Sequence, residues 1–290
     1  MDFPKMMKAG AYSEPFYIEY MKRDAPFSMA NNHFHPYYEV YFLLSGSRIY
    51  FIKDTTYAIE ASDLVFINKH EVHKTLHAGH SGHEHERIVI HFDDRFVRDV
   101  FKQHAPLLLR PFEQHNPIVR LPEQGREQVG SLIKQLLVEL RDKSMGYEIL
   151  LYQAITELLL LSSRYVTTSG PPEPIYTSPL NLKISEIVRY LNVNYSEQIR
   201  IQALAERFFI SPYYMSRVFK EVTGFTLIDY LNLTRIKEAQ RLLRETGFSI
   251  TDIAARVGFD NFSHFGKIFK KITRTSARDY RKENRMTTLH

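Results

Sequence analysis

The last third of the chain carries one short pattern twice, and this duplication constrains the fold more than any other feature. The first copy has Leu204-Ala205, then Ile210-Ser211, then the run Tyr213 to Lys220; the second has Ile253-Ala254, Gly258-Phe259, then Ser263 to Lys270. From the second segment onward the copies are 50 positions apart, as Phe219 and Phe269 show. Each copy reads as helix, tight turn, helix.

In the first copy Ser211 is placed to cap a helix, with Pro212 at the first helical position, where a missing N–H costs nothing. Met215, Val218, Phe219 and Val222 recur at helical spacing on one apolar face, leaving Tyr213, Ser216, Arg217 and Lys220 on the other. In the second copy Asp260 or Asn261 caps the helix. Phe265, Ile268, Phe269 and Ile272 point inward, and Ser263, Gly266, Lys267 and Lys270 point outward. Two helices at a sharp angle, the second with a cationic outer face, make the unit whose second helix enters a DNA major groove. A single match of this kind is weak; its repetition makes it informative.

Between the copies, Leu227, Tyr230, Leu231, Leu233, Ile236, Ala239, Leu242 and Leu243 predict one amphipathic helix from about Thr226 to Glu245. A helix of that length spans roughly 30 Å, close to one turn of B-DNA, so both second helices could reach successive major grooves. Ser249 and Asp252 form a capping box that starts the next helix.

Residues from about Lys183 to Lys282 resemble the DNA-binding domain of the AraC/XylS family of bacterial transcription regulators. The resemblance rests on "LAERFFISPYYMSRVFKEVTG", "YLNLTRIKEAQRLLRETGFSITDIAARVGF", "DNFSHFGKIFKK" and the closing Asp279-Tyr280-Arg281. Three positions depart from the family pattern: Arg274 stands where glycine is usual, Ala277 where proline is usual, and Gly266 where a small polar residue is usual. The resemblance implies a regulator that binds promoter DNA. Tyr213, Ser216, Arg217, Ser263, His264 and Lys267 are expected on bases, and Lys220, Lys270 and Lys271 on phosphates.

Charge points the same way. From Leu180 to His290 there are 19 Lys and Arg against 11 Asp and Glu, a net +8; the whole chain is +5, which leaves the first 179 residues at −3. A cationic domain behind an acidic one fits a local polyanion contact. The chain has no cysteine, which excludes disulfides, thiolate metal sites and cysteine-based catalysis or DNA repair. No apolar run is long enough to cross a membrane, and the start lacks a signal-peptide core, so a soluble, cytoplasmic protein without a membrane partner is expected.

The 290 residues predict an α+β chain of two domains. Residues 1–166 are expected to form the first domain, with a β-barrel at about 15–110 and a helical pair at about 121–165; 167–181, "TTSGPPEPIYTSPLN", is the expected linker; 182–290 is expected to be the all-α double helix-turn-helix domain. Short β-rich runs lie at Tyr17–Met21, Glu39–Leu44, Arg48–Ile52, Thr56–Glu60, Asp63–Ile67 and Arg87–Phe92. Helical spacing follows, broken at Ser144–Gly146.

Within the β region, His33-Phe34-His35, Glu39 and Gly46 resemble the first signature of the cupin barrel, and with the family resemblance this implies that residues 1–166 are a cupin-like effector-binding and dimerisation domain. The second signature is partial: Asp63 and His73 fit, but Ser62, Asn68, His70 and His77 do not. His33, His35, Glu39, Tyr41 and His73 are the candidate effector-binding residues. If a metal were held, His33, His35, Glu39 and His73 would be its ligands. The reading carried forward is without resident metal or other cofactor, since the partial signature also suits a pocket of hydrogen-bonding groups. Eleven of the 13 histidines lie between His33 and His115, four of them (His77, His80, His83 and His85) in a glycine-containing tract expected to be a solvated loop. Aromatic residues at Phe34, Tyr37, Tyr38, Tyr41, Phe42, Tyr50, Phe51, Tyr57 and Phe66 divide between core packing and stacking on a carbohydrate-type effector. The leucine surplus of the helical pair, including Leu158 to Leu161, is apolar around more than one face, so one face can close the barrel while another forms a homodimer contact. Two alternatives stay open: a metal-dependent cupin enzyme with a DNA-binding appendage, and a constitutive DNA binder without effector.

Overall fold

The computed structural model describes residues 3–25, 34–77, 84–168 and 179–286. Nine strands fall in the first part of the chain: β1 (Met6–Gly10), β2 (Phe16–Arg23), β3 (Tyr38–Ser45), β4 (Ser47–Ile52), β5 (Thr55–Glu60), β6 (Leu64–Ile67), β7 (His73–His77), β8 (His85–Phe92) and β9 (Ile118–Val119). They form two antiparallel sheets, one ordered β1-β2-β8-β3-β6-β9 and the other β5-β4-β7. The expected barrel therefore takes the form of two facing sheets, not a closed ring of strands among the described residues.

Alternation along the strands decides what each sheet face meets. Ile18, Tyr20, Tyr38, Val40, Phe42, Phe66, Ile88 and Ile90 put the outer face of the large sheet against α1 (Ala105–Leu109), α2 (Glu123–Asp142) and α3 (Tyr147–Thr168). Tyr41, Leu43, Val65, Ile67 and Val89 turn inward and meet Tyr50, Ile52, Tyr57 and Ile59 of the small sheet. The break at Ser144–Gly146 is the turn between α2 and α3, with Lys143 and Gly146 at positive φ. Leu158 and Leu159 are buried against the sheet, while Leu160 and Leu161 pack only partly.

Seven helices follow: α4 (Pro179–Val193), α5 (Ile201–Arg207), α6 (Pro212–Thr223), α7 (Leu227–Glu245), α8 (Ile250–Arg256), α9 (Phe262–Thr273) and α10 (Ala277–Met286). Both ends of the expected 167–181 linker are helical, since α3 runs to Thr168 and α4 begins at Pro179, a residue well suited to a first helical turn. The helix caps are local and follow the sequence: Ser211 Oγ, Thr226 Oγ1, Ser249 Oγ and Asn261 Oδ1 accept from Tyr214, Asp229, Asp252 and His264 N–H respectively. Of the two candidate caps for α9, Asn261 serves, and Asp260 instead accepts from Gln198.

The duplication extends to the helix ends. Thr223 Oγ1 donates to the Phe219 carbonyl and Thr273 Oγ1 to the Phe269 carbonyl, and the residues that follow, Gly224 and Arg274, both adopt the left-handed conformation at φ 75° and 66°. Arginine pays there a steric cost that glycine escapes, on the order of 1 kcal/mol. That is the physical meaning of the departure at Arg274.

The outer face of the small sheet lies on the first helix-turn-helix unit. Phe51, 1 % exposed, makes edge contacts with Phe225 and Tyr230 at centroid distances of 5.7 and 6.0 Å. Tyr230 Oη donates toward the Lys53 carbonyl at 3.0 Å and Asn192 Oδ1 at 2.9 Å, and Thr56 Oγ1 donates to the Val222 carbonyl at 3.3 Å. Lys74 Nζ donates to the carbonyl of Gly224, the residue that ends α6.

Candidate functional site

Two regions carry chemistry. The first is the outer face of α6 and α9. Met215, Val218 and Phe219 of α6, and Phe265 and Phe269 of α9, are buried; Val222, Ile268 and Ile272 are half-buried on the same faces. Tyr213, Arg217, Lys220, Ser263, His264, Lys267, Lys270 and Lys271 are exposed, and Ser216 is half-buried. Arg217 is held loosely, 3.8 Å from Glu221 and over the Tyr214 ring at 5.5 Å, so its guanidinium is available to a partner. Gly266 leaves an open patch in the middle of the α9 face, with no atom within 4 Å of where a Cβ would stand.

The second region is the space between the two sheets. His35 and Glu39 flank the start of β3, His73 opens β7, and His91 sits on β8 directly across from Glu39 in the strand register. Glu39 Oε2 lies 3.1 Å from His35 Nε2, 2.8 Å from His91 Nε2 and 3.7 Å from His73 Nε2. All four side chains are buried. Tyr50 Oη donates to the other carboxylate oxygen at 3.4 Å. Burial pushes the Glu39 carboxyl up, but the surrounding His35, His73 and His91 imidazoles outweigh it and hold it well below the usual carboxylate range. Burial lowers His91, against the pull of Glu39.

The candidates from the sequence divide as follows. His35, Glu39 and His73 come together; Tyr41 is buried farther along the same inner face, 5.0 Å from the Tyr50 ring; His33 lies outside the described residues. The fourth member of the cluster is His91, which the motif reading did not single out. Its signal was the inward alternation of Arg87, Val89 and His91 on β8, but assigning His91 to Glu39 requires the pairing of β8 with β3, a long-range fact. Of the histidine tract, His77 ends β7 and His85 begins β8, while His80 and His83 lie outside the described residues.

Aromatic rings border the cluster. Tyr37 stacks on His35 at 4.0 Å and lies 4.5 Å from His91; Tyr12, 60 % exposed, stacks on Tyr17 at 4.5 Å and lies 5.6 Å from Tyr37. The aromatic residues of the sequence reading separate: Tyr37 borders the cluster, Tyr41, Tyr50 and Tyr57 lie between the sheets, Tyr38, Phe42 and Phe66 are core, and Phe51 and Phe34 pack toward the helical domain.

Four residues along from His91 on β8, the inner face turns cationic. Arg87 pairs with Glu19 at 2.6 Å, and Arg48 is buried at 2 % exposure. Burial lowers the Arg48 pKa, and Arg87 and Arg23 push it the same way. Arg87 Nη1 and Tyr41 Oη are buried without a hydrogen-bond partner among the described residues.

Comparison with known proteins places both regions. Residues 16–159 match the AraC-like ligand binding domain and residues 204–283 match a helix-turn-helix domain. The chain belongs to the AraC family of transcription regulators. It is 28 % identical over 256 residues to the HTH-type transcriptional activator RhaS of Escherichia coli O81 (strain ED1a), covering 86 % of each chain. It is 26 % identical over 198 residues to the regulatory protein PocR of Salmonella typhimurium, covering 67 % of this chain and 58 % of PocR. The bifunctional transcriptional activator/DNA repair enzyme AdaA of Bacillus subtilis is 35 % identical over 100 residues, 34 % of this chain and 47 % of AdaA. The chain thus spans about half the length of two of these relatives. Among the described residues, no helix is long and apolar enough to cross a membrane.

Proposed function

We propose that this AraC-family protein binds promoter DNA through α6 and α9, and that a small polar effector between its two sheets alters that binding. The observation that carries the reading is the adjacency of His73 and Lys74 on β7. His73 belongs to the buried cluster on the inner face, and Lys74, pointing the opposite way, bonds to the carbonyl that ends the recognition helix α6. A ligand that shifts β7 by a fraction of an ångström acts on both. It changes DNA affinity only by its differential free energy for the two arrangements.

The effector is of carbohydrate type: tyrosine rings at the mouth suit stacking, and Glu39 and the histidines suit hydroxyls. Arg23, Arg48 and Arg87 beyond them favour a sugar acid over a neutral sugar. Tyr213, Ser216, Arg217, Ser263, His264 and Lys267 read bases, with Lys220, Lys270 and Lys271 on phosphates. The protein acts as a homodimer in the cytoplasm, with the exposed Met145, in the turn before α3, and Ile149 and Leu150, at the start of α3, at the dimer contact. It is a regulator and not an enzyme, in keeping with the names of RhaS and PocR. Thermal unfolding of the whole chain against sugars and sugar acids tests this. A ligand at 100 times its Kd adds about 2.7 kcal/mol and changes the affinity for a bound promoter duplex. A panel without any shift, or a shift that leaves DNA affinity unchanged, rejects the effector reading.

A further inference from the structure

We infer that the seam between the small sheet and helices α4 and α7 holds a site for a small organic anion, a carboxylate or a phosphate ester, which bridges the two domains through Lys53 and Lys237. A cavity of about 340 Å³ opens there, within the range of small-molecule pockets. Lys53, Glu71 and Val72 line it from the turns beside β4 and β7, and Asn192, Tyr230 and Lys237 line it from α4 and α7. Val72 and Tyr230 are buried and make the floor, while the exposed Asn192 and the half-buried Lys53 stand at the mouth.

The choice of an anion follows from which groups of the wall are already engaged. Two carboxylates are present, and both have partners. Glu71 Oε1 pairs with Lys53 Nζ at 2.8 Å, and its Oε2 accepts from the Asn68 N–H at 3.2 Å. Glu238, also in the wall, is gripped at both oxygens by the Arg241 guanidinium at 2.5 to 3.1 Å. That leaves the Lys237 ammonium, half-buried in the seam and without a hydrogen-bond or ion-pair partner among the described residues. Burial pulls its pKa down; Glu71 and Glu238 restore only part of this, and Lys53 pushes it further down. The potential is positive beyond these two lysines, since burial, and then Arg244, Lys237 and Lys69, pull the pKa of the nearby His70 down to about 4.

The groups left over are donors. Lys237 offers its whole ammonium, Lys53 the N–H bonds that Glu71 does not take, and Asn192, whose Oδ1 accepts from Tyr230 Oη at 2.9 Å, its amide N–H groups. An oxyanion accepts at several lone pairs and carries the opposite charge, so it satisfies such a set through charge-assisted bonds. The apolar floor of Val72 and the Tyr230 ring suits a carbon skeleton, and so an organic anion over a bare inorganic one. One cation stands on the sensor domain and the other on α7, so the bound anion favours the docked arrangement of the two. The site shares no residue with the cluster of His35, Glu39, His73 and His91, and it does not rest on the effector reading.

The test is calorimetric titration of the full-length protein with succinate, citrate and glycerol 3-phosphate at fixed ionic strength, with inorganic phosphate and chloride as controls. At least one of the three organic anions is expected to bind at one equivalent per chain with a Kd of about 1 mM or tighter. Lys237→Met, Asn192→Asp and, on the other domain, Lys53→Gln should each weaken it about tenfold or more, the loss expected for one charge-assisted bond. Lys134→Met, which removes an exposed lysine of α2, should leave it within about twofold. Circular dichroism identifies a variant that has failed to fold, and Asn192→Asp, exposed and still able to accept from Tyr230, keeps the test standing if Lys237→Met does so. Absence of stoichiometric binding by all three anions overturns the site. So does binding that Lys237→Met and Asn192→Asp both leave unchanged, which locates the anion elsewhere. Inorganic phosphate that binds as tightly as the organic anions overturns the ligand class and shows an adventitious ion only, and binding lost in Lys237→Met but kept in Lys53→Gln overturns the bridge. A sugar that alters DNA binding while the anions fail rejects this site and keeps the effector reading; bound anion with no sugar response does the reverse.

Discussion

Replacing Phe51 by alanine tests whether the sensor sheet and the first helix-turn-helix unit are held together as the structure has them. Phe51 is 1 % exposed, and its ring contacts in the helical domain are Phe225, itself fully buried, and Tyr230. A buried phenylalanine truncated to alanine costs about 3–5 kcal/mol. Were the domains apart, Phe51 would stand on the outer face of a three-stranded sheet, where substitutions span only about 1 kcal/mol. The two situations therefore differ by several-fold in the same measurement. Urea unfolding of the full chain gives the loss. A double-mutant cycle with Phe225→Ala gives the coupling, expected at about 0.5–1.5 kcal/mol for an edge-to-face pair. A loss below about 1 kcal/mol together with a coupling near zero would refute the docking, and with it the route from β7 to α6.

Four further outcomes follow from the same geometry. Arg217→Ala should lower discrimination at one base pair by about 1–3 kcal/mol, read as relaxed preference at that position in a binding selection, while Lys270→Ala should weaken all sequences alike and reduce the salt slope by about 0.9. Arg274→Gly should raise stability by about 1 kcal/mol, because arginine there sits at φ 66° where the first copy has Gly224; an unchanged or lower unfolding midpoint would contradict the strain. Burial, reinforced by Arg48, Arg87 and Arg23, pulls the His85 pKa down to about 4. Between pH 6.5 and 4 the unfolded chain accordingly binds a proton that the folded chain refuses, so stability rises with pH across that window and is lost on acidification. His85→Gln should flatten the pH dependence of the melting temperature between those limits.

What the sequence revealed was what is local. The helices of the DNA-binding domain were legible because their caps, Ser211, Thr226, Ser249 and Asn261, and their apolar faces lie within a turn or two of the residues they organise. The strands with alternating apolar residues were legible for the same reason. By contrast β7, "HKTLH", has little apolar alternation, because its inner face meets polar groups and Lys74 on its outer face reaches the helical domain. Edge strand β1 was missed as well, and so was the two-residue β9. The helical turns between Arg95 and Glu113 are too short, and too interrupted by Pro106 and Pro111, to show a period. His35, Glu39 and His73 were found by a linear signature. His91 joins them only through strand pairing 52 residues away from Glu39, which no local pattern encodes.

The central claim, that two recognition helices on one chain read DNA together, is tested most directly by selecting bound duplexes from a random library with the full-length protein. A two-part motif is expected, with half-sites centred about 10–11 base pairs apart, one turn of the duplex. An unenriched library, with affinity that follows salt concentration alone, would contradict it.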